Sequence, residues 1–209
     1  MSELWESSFK EKQIMWGHDA ADSTFQALDL FRKNGIKKIL IPGFGYGRNA
    51  KVFYDKGFDV TGIEISETAI ALAREQLGDE MKIYHGSVAD MPFDNESYGG
   101  IFSYALIHLL NSRERAKLIR DCYNQLDVNG YMVFVAVSKG FPSYGTGRMI
   151  SKDRFETMPG VKIFFYDEDS IKREFQKYGL VQYIEIEESG KLKKDKPTLK
   201  FWYIVCQKK

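Results

Sequence analysis

The chain has 209 residues, 44% of them hydrophobic, and 30 Lys+Arg stand against 29 Asp+Glu for a formal net charge of +1. That length and apolar share suit one domain with a full core, and the charge balance excludes the basic excess of a dedicated nucleic-acid binder. The two cysteines, Cys122 and Cys206, are too few for a disulfide framework or a cysteine-rich zinc site and fit a reduced, cytoplasmic setting.

The first residues carry no export signal, and no later run approaches the ~20 apolar residues that a bilayer requires, so no membrane partner is expected. Residues 1–20, with Trp16 and His18, form a candidate lid segment on a single domain spanning 1–209. Residues 20–34 place Phe25, Leu28 and Phe31 at helical spacing and stop at Asn34-Gly35. Lys38–Ile41 predicts a buried first strand, followed by a glycine turn and a helix ending near Lys56-Gly57. Phe58–Ile65 predicts the second strand, Ser66 caps a helix through Leu77, and Met81–His85 is a short third strand.

Gly100–Tyr104, a helix over Ser112–Leu126 and Tyr131–Val137 continue the alternation. Lys139–Arg154, containing Tyr144-Gly-Thr-Gly147-Arg148, reads as a glycine-rich loop at the sheet's ligand edge. Asp167–Tyr178 is an amphipathic helix with Gly179 just past its end. Val181–Ile186 and Leu199–Cys206 are too close for a crossover helix and must form an antiparallel hairpin, with the Lys191–Lys196 charge run as its solvated tip. The expectation is an α/β, doubly wound, mostly parallel seven-stranded sheet with a C-terminal antiparallel hairpin.

Chemistry concentrates where the first strand ends, in Pro42-Gly43-Phe44-Gly45-Tyr46-Gly47-Arg48. Alternating glycines between a buried strand and a helix permit positive φ and close approach of a ligand to the backbone. A dinucleotide loop would place its third glycine at position 48, which is Arg48. Glu64 closes the second strand at the spacing of a ribose-binding acid, and Ile65 beside it would wall an adenine. After the third strand, Asp90 is an acceptor for an exocyclic amine, and amides near Val88 and Ala89 are donors to a ring.

These residues closely resemble the class I S-adenosylmethionine-dependent methyltransferases, by motif over roughly residues 36–137 and by element order beyond. The resemblance implies a Rossmann-like fold and S-adenosyl-L-methionine as cofactor. It assigns Gly43, Phe44, Gly45 and Gly47 to the methionine part, Glu64 to the ribose and Asp90 to the adenine amine. Ser103 and Tyr104 would line the methionine end, and Trp16 would close over it. Leu40-Ile-Pro-Gly43 looks like the loop of thiopurine and thiol methyltransferases, while Gly45-Tyr-Gly-Arg-Asn49 and the tail resemble tellurite-resistance methyltransferases. Two positions depart from the family pattern: Ile41 stands for the acid two residues before the first glycine, and Gly99 for the Asp that opens strand four.

Transfer from a sulfonium chiefly requires positioning, so signature catalytic residues are few. His108, just after strand four, is the candidate general base, and Tyr144 a candidate acceptor-site residue. His18 could reach the site from the lid segment, and His85 reads as structural. No His/Asp/Glu cluster suggests a metal. The expected activity is methylation of a small molecule by a monomer or homodimer that binds no nucleic acid. Two alternatives stay open: a non-catalytic S-adenosylmethionine-binding regulatory domain, and an NAD-dependent oxidoreductase, which Arg48 and the hairpin disfavour.

Overall fold

The structure, a computed structural model, describes residues 2–188 and 198–209. Two helices, α1 (Ser2–Lys12) and α2 (Asp22–Lys33), precede β1 (Lys38–Pro42), which is buried after Lys38, as a strand covered on both faces must be. The alternation runs on through α3 (Arg48–Tyr54), β2 (Asp59–Glu64), α4 (Glu67–Leu77), β3 (Lys82–His85) and β4 (Tyr98–Tyr104), then α5 (Ser112–Gln125) and β5 (Leu126–Val137). Single helical turns at Val88–Asp90 and Ile107–Leu109 follow β3 and β4. After β6 (Arg148–Ser151), β7 (Arg154–Met158) and β8 (Val161–Phe164), the chain ends in α6 (Glu168–Phe175), β9 (Leu180–Glu188) and β10 (Leu199–Gln207).

The main sheet has seven strands in the order β3-β2-β1-β4-β5-β10-β9, the first five parallel and β10 antiparallel to both neighbours. The expected fold is borne out in strand number, direction and hairpin. Side chains alternate across it: Phe102 joins the apolar layer of Phe31 and Phe53, whereas Ile101 joins that of Leu118 and Phe175. Strand order reverses between β1 and β4, which opens a crevice at their carboxyl ends. Pairing of Pro42 with Ile63 ends β1 and β2 level, so Gly43 and Glu64 emerge side by side.

Ser66 caps α4 by accepting from the Ala69 amide, as expected, and Asn111 with Glu114 forms a reciprocal cap on α5. The predicted loop over 139–154 is corrected. From Arg148 onward the chain folds β6, β7 and β8 into a separate three-stranded antiparallel sheet. Its strands hold only four or five residues each, too few for alternation to stand out. Within the candidate lid segment, Ser2–Lys12 form a helix. The Lys191–Lys196 run lies outside the described residues. Among the described residues no helix is long and apolar enough to cross a membrane.

Candidate functional site

Gly43, Gly45 and Gly47 all adopt left-handed φ values, of 75°, 59° and 84°. The loop is pinned to β2 by the Gly43 and Phe44 amides, which donate to the Ile63 carbonyl at 2.9 and 3.0 Å. A side chain at Gly47 would strike Leu77 of α4, so this glycine serves close packing. Gly45 differs: a Cβ there would meet nothing within 4 Å. The loop therefore leaves a cradle of open space over Gly45. Phe44 departs from its assigned role, because its buried ring packs against Gly62 beneath the loop and leaves only its backbone near the mouth.

Glu64 is buried beside that cradle. One carboxylate oxygen accepts from the Gly45 amide at 2.7 Å, and the other from the Ile65 and Ser66 amides at 2.9 and 3.0 Å. Burial raises its pKa, against the three amides that favour the charged form. Of roughly four acceptor positions on a carboxylate, these amides occupy three. One ribose hydroxyl could be accepted as the site stands. A second requires release of an amide, and Gly45 lies nearest the cradle.

Ile65 is half-buried, and its carbonyl is 3.2 Å from Nε2 of the exposed His85. Pairing of Glu64 with His85 carries the edge across to β3 and the following turn. There Val88 is buried, the Ala89 amide donates to the Ser87 hydroxyl at 3.2 Å, and Asp90 is exposed. The Asp90 carboxylate has no hydrogen-bond partner among the described residues, as an acceptor kept for a ligand would have. The cradle, the adjacent carboxylate and this second carboxylate fit an adenosyl group.

At the end of β4, buried Ser103 donates to the Pro42 carbonyl at 3.3 Å. Tyr104 turns to the opposite face, stacks on Phe201 with centroids 5.9 Å apart, and lies 5.6 Å below the Arg48 guanidinium. Burial, with Glu188 nearby, pushes its phenol well up. Ala105 then takes a positive φ of 54°, a strained conformation for a side-chain-bearing residue, and the next side chain, Leu106, lies against Gly43. His108 is buried, with Nδ1 accepting from the Val137 amide at 3.4 Å, and burial pushes its pKa down to about 3. It is a neutral structural ring rather than a base poised near neutrality. Tyr144 is engaged elsewhere: its hydroxyl donates to Asp153 at 2.9 Å and its ring packs on Phe155 and Phe165.

The N-terminal segment reaches this edge through contacts that the sequence reading missed. Glu6 on α1 accepts from the Ser66 and Thr68 hydroxyls at 2.7 and 2.6 Å, two residues beyond Glu64. Those bonds hold its carboxyl at about 2. Phe9 and Trp16 pack on Tyr46 of the glycine loop, Trp16 nearly parallel to it at 6.2 Å, and the Tyr46 hydroxyl donates to the Gly17 carbonyl. Arg48 donates to the Trp16 and Asp19 carbonyls. His18 is exposed. The signal available in the sequence was the helical spacing of Trp5 and Phe9, with Glu6 between them. Both cysteines are buried with their thiols pushed up, Cys206 to about 12.

Residues 40–134 match the family model described as a methyltransferase domain. A sarcosine/dimethylglycine N-methyltransferase of Aphanothece halophytica is 34% identical over 103 residues, 46% of this chain and 36% of that protein. The chain thus spans about a third of the length of the curated relative it matches. Among solved structures, the 1,6-didemethyltoxoflavin-N1-methyltransferase of Burkholderia thailandensis, with bound S-adenosylhomocysteine, superposes with a TM-score of 0.75 at 16% identity, covering 99% of this chain and 86% of that one. TehB of Haemophilus influenzae gives 0.66 at 21% identity, covering 88% and 62%. These structural likenesses establish the fold.

Proposed function

Because residues 40–134 match the methyltransferase-domain family, we propose that the protein transfers a methyl group from S-adenosylmethionine to a small-molecule acceptor by direct in-line displacement. The observation that carries this reading is the open cradle over Gly45 with the Glu64 carboxylate 2.7 Å from its amide, at the sheet's switch point. Gly45 admits the ligand to the backbone, Glu64 takes a ribose hydroxyl, Asp90 takes the adenine amine, and Ile65 walls the base. Bound there, S-adenosylmethionine supplies an electrophilic methyl group on a sulfonium.

What the chain adds is orientation and exclusion of water, which together supply much of the rate in reactions of this kind. The helix α1, docked through Glu6 and the Trp16–Tyr46 stack, serves as the lid of a single-domain enzyme. His108, held at about 3, supplies no base near neutrality, which favours an acceptor atom that reacts without first losing a proton, such as a free amine lone pair or a thiolate. An amine agrees with the name of the N-methyltransferase relative.

Calorimetry with S-adenosylmethionine, S-adenosylhomocysteine and NAD tests the reading. The first two are expected to bind and NAD is not. Glu64→Ala is expected to lose about 1.5–3 kcal/mol of S-adenosylmethionine affinity, the scale for hydrogen bonds to a charged group. Binding of NAD alone, or unchanged affinity in the variant, would overturn it.

A further inference from the structure

A cavity of about 310 Å³ lies between α1 and the three-stranded sheet. Glu3, Leu4 and Trp5 line it from α1, Leu109 from the turn after β4, and Arg154 and Lys162 from β7 and β8. Gly160, in the β7–β8 turn opposite Leu4, lines it as well. None of the glycine loop, Glu64 or Asp90 contributes, so this space is distinct from the adenosyl cradle. Leu109 nevertheless directly follows His108 at the carboxyl end of β4, where the reacting end of a ligand belongs.

The charges in the cavity do not balance. The lining holds Arg154 and Lys162 against one acid, Glu3, and Lys162 has Glu156 nearby as well. The Nε of Arg154 is buried and has no hydrogen-bond partner, and among the described residues no carboxylate pairs with its guanidinium. Its neighbour Arg115 shows what a satisfied arginine looks like here: Glu174 holds it at 2.9–3.3 Å through Nε and Nη2, and the Leu110 carbonyl takes Nη1. Glu114 is the other acid near Arg154, but it is committed to the α5 cap, accepting from the Asn111 amide at 2.8 Å. Burial and the Arg115 charge both disfavour the Arg154 cation. The side chain as a whole is half-buried, so the unmatched buried donor is Nε alone; a donor left in that state is costly, and a bound anion would relieve the cost.

We propose that this cavity is the acceptor pocket and that Arg154 seats a carboxylate of the small-molecule acceptor, so that carboxylate-bearing acceptors are selected over neutral ones. The guanidinium fork suits a planar carboxylate bound by two parallel hydrogen bonds. Trp5 and Leu109 supply the apolar walls for the remainder of the molecule. The proposal rests on the methyl-transfer reading and deepens it.

The test uses the full chain loaded with S-adenosylhomocysteine and three matched pairs: sarcosine and its amide, thioglycolate and its amide, 4-hydroxybenzoate and its amide. Binding is read from Trp5 emission, by difference from Trp5→Phe, and methyl transfer is assayed with S-adenosylmethionine. In at least one pair the carboxylate is expected to bind or react about tenfold better or more, and Arg154→Gln to bring that pair within about twofold, with Arg154→Lys intermediate. Arg154→Gln is expected to stay folded by circular dichroism and to bind S-adenosylhomocysteine unchanged. No preference in any pair, or a preference that survives Arg154→Gln, overturns the proposal. So does loss of S-adenosylhomocysteine affinity in that variant, which would assign Arg154 to the cofactor's own carboxylate. If the wild type binds no S-adenosylhomocysteine, the methyl-transfer reading falls, and the carboxylate preference is still read from Trp5 on the unloaded chain.

Discussion

His108 is buried against β5, and its pKa is pushed from 6.5 down to about 3. The unfolded chain therefore takes up a proton between those values that the folded chain refuses. Stability is full above pH 6.5 and declines as pH falls toward 3, by up to about 1.4 kcal/mol per unit below 6.5. His108→Gln is expected to flatten this acid limb in Tm measured against pH, and turnover by the wild type is expected to show no limb near neutrality from this ring. Equal acid sensitivity in both proteins would remove the assignment. Glu64 makes the opposite kind of contribution, since its carboxylate ties Gly45 to Ser66 through both oxygens. Glu64→Gln keeps one acceptor oxygen and is expected to cost about 1.5–3 kcal/mol in urea unfolding. The positions of Glu64 and Asp90 at the sheet edge were legible because strand, turn and spacing announce an acid there. Arg154 was not, because its isolation depends on Glu174 choosing Arg115 and Glu114 choosing an amide.

The helix α1 joins the domain through few contacts, and Glu6 supplies its polar ones. With a carboxyl held near 2 instead of 4.5, the Glu6 contribution to docking is fully present above pH 4.5 and is lost as pH falls toward 2. Glu6→Gln should undock the helix at neutral pH. Amide exchange over residues 2–12 is expected to rise about tenfold or more while the main sheet stays protected, and unaltered exchange there would show that Phe9 and Trp16 suffice. Elements with a clear pattern were readable from sequence: the helix α5, and β1, buried after Lys38. The strands β6 to β8 were not, since four-residue segments give two alternations at most. The turns at Lys152-Asp153 and Pro159-Gly160 were the remaining clue.

Across the molecule, the two sheets meet at Lys139. Its ammonium bridges Asp153, in the turn between β6 and β7, and Asp167, the cap of α6. Burial alone would lower its pKa, but the two carboxylates together raise it. Tyr144 joins the same node through Asp153, and its ring is wedged between Phe155 and Phe165. Removing the cation leaves two acids facing each other without a counterion, so the break should travel into the small sheet. The main sheet's two apolar layers are built mostly from its own strands and helices, with Phe164 of β8 joining one and Phe155 and Ile163 packing on the other, so it depends on Lys139 far less than the small sheet does. Lys139→Met is therefore expected to raise amide exchange across 148–164 and to leave β1, β2 and β4 unchanged. Arg154 sits on the wall that loosens, whereas the adenosyl cradle is built from the main sheet alone. Turnover should fall about tenfold or more, on the scale that misplacement of a positioning group costs, with S-adenosylhomocysteine affinity within about twofold of wild type. Parallel loss of both would mean that the small sheet supports the cofactor site as well, and the division of labour between the two sheets would fail.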